Sequence, residues 1–95
     1  MQVWKIAITS PTGTFDATLN IDAAQSPPVG EMRAKNGAGP MLNLTLGSDS
    51  IEWATKIERP MPMKLVFKGR HEEQTMSGTV KFGIFASGTF TGMRA

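Results

Sequence analysis

The single histidine, His71, stands in the stretch Arg70-His71-Glu72-Glu73. A Ser-His-Asp arrangement would have to use it, and a general base needs a fixed orientation and a partner within hydrogen-bond reach. The residues from Gly69 to Gln74 read as a polar turn between two strands, so His71 is expected to be solvated and non-catalytic. With Glu72 and Glu73 it offers donors at consecutive positions, which cannot converge as a zinc site requires. Asp16, Asp22 and Asp49 fall in separate turns or outer faces, without the spacing of a calcium loop. Glu52 and Glu58 flank Lys56 on one strand face. They read as a solvated stripe, with nothing to raise either carboxyl toward acid–base work. The chain has no cysteine, which excludes disulfides, thiolate metal sites and a cysteine nucleophile. No catalytic residue, metal or cofactor is expected.

Binding chemistry has more to work with. Ser77-Gly78-Thr79-Val80-Lys81-Phe82 has the look of an aromatic nucleic-acid-binding strand, but Phe82 falls on the apolar face and no second aromatic strand accompanies it. Lys64, Lys68 and Lys81 can share an outer face, which reads as solubility, and a nucleic-acid partner is not expected. Gly78, Gly88 and Gly92 lie at inward positions of the last two strands, where glycine marks a bend or a close approach. Their second reading is missing volume: a cavity mouth walled by Trp4, Trp53 and methionines. Seven methionines suit an adaptable apolar face, with Met32, Met63 and Met76 inward and Met41, Met61 and Met93 at strand ends. The candidate ligand-binding set is therefore Trp4, Trp53, Met63, Met76, Gly78, Gly88 and Phe90.

The elements that must position these residues follow from alternation with period two along the whole chain. Trp4, Ile6 and Ile8 share a face, and Ser10-Pro11-Thr12-Gly13 turns into a run carrying Phe15, Ala17, Leu19 and Ile21. After a loop from Ala23 to Pro28, Met32 and Ala34 define a run over residues 29–36, broken by Gly37-Ala38-Gly39-Pro40. Leu42, Leu44 and Leu46 define a fourth run on one face, and Ile51, Trp53, Thr55 and Ile57 a fifth. After Arg59-Pro60-Met61-Pro62 come Met63, Leu65 and Phe67. Met76, Gly78, Val80 and Phe82 form the seventh run. Gly83-Ile84-Phe85 connects it to Ala86, Gly88, Phe90 and Gly92.

Eight short strands with hairpin-length connections predict an antiparallel all-β meander. It closes most simply as an up-and-down barrel without free edges, the alternatives being a two-layer sandwich or a half-barrel that dimerises. The first turn predicts Ile8 opposite Phe15 and Trp4 opposite Leu19, and the last predicts Phe90 opposite Gly78. The second loop sets Asp16 beside Lys35. The expected core is Trp4, Ile6, Phe15, Leu19, Leu44, Trp53, Leu65, Phe67, Val80 and Phe90.

The chain is 95 residues long with a net charge of +2, one domain spanning residues 1–95 and too nearly neutral to announce a polyanionic partner. No apolar run approaches the ~18–20 residues of a membrane span. Residues 1–10 alternate rather than form a signal peptide, and a cytoplasmic protein is the default.

The C-terminal third, Met76-Ser77-Gly78-Thr79-Val80-Lys81-Phe82-Gly83-Ile84-Phe85 followed by Gly88-Thr89-Phe90-Thr91-Gly92-Met93-Arg94, resembles a group of small bacterial all-β proteins. These end in a segment like M-x-G-x-V-x-x-G-x-F-G…F-x-G-x-R. The resemblance extends to Trp4, the Pro11-Thr12-Gly13 turn and residues 59–63, and departs at Ala86, where the group favours glycine. It implies no agreed activity. The meander is also similar to lipocalin- and streptavidin-like barrels, which implies fold alone. The sequence thus points to a non-catalytic interaction or structural module. The alternative is a small apolar ligand bound at a barrel mouth. The partners left open are a second copy, as a homodimer, or an apolar small molecule.

Overall fold

The computed structural model describes residues 2–95 apart from 12, 36, 58–61 and 85, and apart from the side chain of residue 57. The described residues form nine strands and no helix. These are β1 Gln2–Ser10, β2 Gly13–Asp22, β3 Val29–Ala34, β4 Gly37–Pro40, β5 Leu42–Leu46, β6 Ser50–Ile57, β7 Met63–His71, β8 Thr75–Phe82 and β9 Ala86–Arg94. One antiparallel sheet runs in the order β4-β3-β2-β1-β9-β8-β7-β6-β5. Its two ends, β4 and β5, are consecutive in the chain and separated only by Met41. The sheet therefore curls into a nearly closed up-and-down barrel.

The closing device is one extended stretch that changes partners midway. Residues 37–40 pair with β3, and residues 42–46 pair with β6. Met41 continues the first pairing by donating its amide to the Gly30 carbonyl at 2.8 Å, and its side chain is buried. Gly37-Ala38-Gly39-Pro40 is thus a strand, where the sequence reads a break. It carries no apolar alternation, and its backbone pairing with β3 alone makes it one.

Registers at the first and last turns match the expected ones: Ile8 opposite Phe15, Trp4 opposite Leu19, and Gly78 opposite Phe90. The β2–β3 register is also as expected, but the ladder stops at Ala17–Ala34, one pair short of Asp16 and Lys35. β7 continues through Gly69 to His71, so half of the expected polar turn is strand. Glu58, Arg59, Pro60, Met61 and Phe85 lie outside the described residues.

The core follows the inward parity of the strands. Trp4, Ile6, Leu19, Leu44, Trp53, Leu65, Phe67, Val80 and Phe90 are buried as expected, and Met41 joins them from its supposed strand end. Phe15 does not, being 41 % exposed. It pairs with Ile8 on the β1 side, while the ladder to β3 begins only at Ala17.

A second departure lies in β5. Leu42 opposes Ala54, whereas Thr45 opposes Glu52 and Leu46 opposes Ile51, so a bulge falls between them. Asn43, with φ +54, occupies the left-handed region there, where asparagine is one of the few non-glycine residues at home. The extra residue inverts parity. Leu44 and Leu46 stay with the core, while Leu42 turns to the outer face beside Ala54.

Candidate functional site

The barrel centre is occupied by rings. Trp53 on β6 and Phe67 on β7 are cross-strand partners and stack at 4.4 Å with planes 6° apart. Phe90 meets both edge to face, at 5.4 and 5.5 Å. These are the offset and T-shaped geometries that ring quadrupoles favour. The Trp53 Nε1–H is buried and has no acceptor among the described residues.

The inward glycines lie in close contact with their neighbours. A Cβ on Gly78 would run into the carbonyl oxygen of Lys68 and the Cα of Gly69. One on Gly88 would meet the carbonyl oxygen of Thr9, with the Phe82 ring 3.1 Å away. One on Gly92 would stand 2.7 Å from Ile6 Cγ2 and 2.9 Å from Met76 Cγ. Glycine here permits close approach of backbones and neighbouring side chains, the first of the two readings of these positions.

Of the candidate ligand residues, the fold brings Trp53, Phe90 and Gly78 together at the centre, with Met76 buried beside Gly92. Trp4 and Met63 go to opposite ends. Trp4 is paired with Arg94 where β1 begins and β9 ends, and Met63 opens β7 at the other mouth, half-buried. The seven residues do not line one opening.

The mouth at Trp4 is capped by polar groups. The Arg94 guanidinium lies over the Trp4 ring, 5.8 Å from its centroid, and the indole Nε1–H donates to Gln2 Oε1 at 3.0 Å. His71 belongs to this rim and is half-buried at the end of β7 rather than loose in a turn. Its Nε2–H donates to the Gly47 carbonyl at 3.0 Å, which requires the proton on Nε2. Its backbone amide donates to Asp49 O at 3.0 Å. His71, expected to be solvated in a turn, is instead a tether holding the β5–β6 turn against β7. A shallow depression of about 270 Å³ lies here, lined by Gln2, Trp4, Ser48, His71, Glu72 and Arg94 among others.

A second depression, about 280 Å³, lies on the outer face and is lined in part by Asn43, Thr45, Glu52, Ala54, Lys64 and Val66. Ala54 and Val66 are cross-strand neighbours in it, and the pairing of β5 with β6 extends their row to Leu42 as an aliphatic floor alongside. Ala54 is 5 % exposed although it points away from the core. Alternation alone hides this floor, because Leu42, Leu44 and Leu46 look like one face until the bulge separates them. Lys81 continues the row from Val66, and Lys56 and Lys64 oppose each other directly on the next row. Glu52 pairs with Lys68 at 3.5 Å, both well exposed, a contact worth little in solvent. No family model, curated protein or solved structure matches the chain.

Proposed function

We propose that this barrel is a non-catalytic interaction module, its interior serving as its core and its outer surface as its working face. The observation that carries this reading is the Trp53–Phe67–Phe90 cluster at the centre, with the inward glycine positions already occupied. A lumen filled by side chains has no standing deficit of dispersion contacts for a ligand to repair. The proposal includes a cytoplasmic location and kinship with the small bacterial all-β group and the lipocalin-like barrels that the chain resembles.

A second reading, an amphipathic ligand held at one mouth, is favoured by the depression where Arg94 covers Trp4. One experiment separates the two. Protein purified without detergent is weighed by native mass spectrometry, then titrated with fatty acids, retinoids and apolar dyes while tryptophan fluorescence is read. The expected result is no co-purifying mass and no saturable change. A saturable change lost in Arg94→Ala would establish the mouth instead. Gly88→Leu is unsuitable as a control, since its side chain would collide with the Thr9 backbone.

A further inference from the structure

We propose that the outer face of β5–β8 docks a short acidic segment of a partner protein that presents an aliphatic side chain at its centre. This rests on reading the barrel as an interaction module and assigns that module its surface. The bulge at Asn43 supplies the first observation. It places Leu42 on the outer face in line with Ala54 and Val66. Bulges commonly re-aim side chains next to sites, and here the result is an aliphatic floor on a face whose other side chains are polar or charged, Glu52 and Arg70 among them.

Charge supplies the second. Lys56 and Lys64 are directly opposed across β6 and β7, and Lys81 stands at the end of the apolar row. Like charges directly opposite on a sheet are unfavourable. Among the described residues none of these three cations has an ion-pair partner. Among the described residues, the β6 carboxylate on this face, Glu52, is engaged with Lys68. Cations ringing an aliphatic floor complement a segment whose carboxylates flank an apolar residue, and the arriving carboxylates relieve the Lys56–Lys64 repulsion. Such complementarity sets partner choice and encounter rate.

Nucleic acid fits this face less well. Single strands are held by bases stacked on exposed aromatics, and Trp53 and Phe67 lie on the inner side of these strands, buried. An anionic membrane would use the lysines without needing the floor.

The test is calorimetric titration of the full chain with a synthetic peptide alternating glutamate and valine. Comparison ligands are a glutamate–serine peptide, oligothymidylate and phosphatidylserine vesicles. Saturable, salt-sensitive binding of the glutamate–valine peptide is expected, weaker by about fivefold or more when serine replaces valine. Lys64→Glu should weaken binding roughly tenfold. Because it converts a like-charge pair into an opposite one, its melting temperature should hold or rise, so lost binding cannot be ascribed to unfolding. Val66→Ser should weaken binding while leaving the salt dependence unchanged.

The proposal is overturned if the peptide does not bind. It is equally overturned if oligothymidylate or vesicles bind as tightly with no response to Val66→Ser. A concentration-dependent oligomer that Lys64→Glu dissolves would show the occupant to be a second copy and also overturn it. Failure of the peptide with ligand-free protein removes this surface alone. A molecule found inside the barrel removes the module reading and leaves the peptide result standing.

Discussion

Gly69 and Gly78 face each other across β7 and β8, and each position is closed to a side chain by the other strand's backbone. Gly78→Ala must push two strands apart, and it should destabilise by about 3 kcal/mol, at the upper end of overpacking effects. Gly39→Ala is the counterpart: nothing lies within 4 Å of its Cβ position, and its unfolding midpoint should move by no more than about 0.5 kcal/mol. Equal denaturant melts for the two would refute the close approach. His71 belongs to the same scale. Its bond to the Gly47 carbonyl joins positions 24 residues apart. His71→Ala should therefore cost about 0.5–1.5 kcal/mol and speed amide exchange in the β5–β6 turn. An unchanged exchange pattern would return the residue to the role of a loose surface histidine.

Among the strands, β5 carries the most information per residue. Asn43 holds a backbone conformation that a β-branched side chain resists by about 1–2 kcal/mol. Asn43→Val should lose that much in thermal or denaturant unfolding, whereas Asn43→Gly should be close to neutral. If both variants melt alike, the bulge lies elsewhere. This strand also shows what could be read in the chain and what could not. Period-two alternation exposed nearly every strand, because burying one face of a sheet writes itself into side-chain type. Turn residues fixed the register at Ile8–Phe15 and Gly78–Phe90. Features that live in the backbone left no such mark. Residues 37–40 become a strand by pairing with β3, and a parity change at Asn43 looks the same in sequence as an unbroken run of leucines. The outer floor depends on that parity change, so the candidate docking face was invisible, while the lysines around it were plain.

For the molecule as a whole, stability rests on one shared core, since Leu44 of β5 and Leu65 of β7 are both buried in it. Leu44→Ala and Leu65→Ala should each cost roughly 2–5 kcal/mol, a large share of what a domain of this size possesses. Chemical denaturation reads this directly, and small shifts in both would contradict a common interior. The two ends of the nearly closed sheet are joined across one residue, Met41, whose sulfur would lie 2.7 Å from a Cβ on Gly30. A thioether is also a chemical target: peroxide converts it to a polar sulfoxide that such a site cannot house. Met93, at 67 % exposed, should be oxidised at the rate of a free methionine, and Met41, at 5 %, only when residues 37–46 part from their neighbours. The ratio of the two rates, read by peptide mass spectrometry, gives the frequency with which the closure opens. Once Met41 carries the added oxygen, the seam should be unable to re-form, so oxidative damage would leave the cylinder as an open, curved sheet.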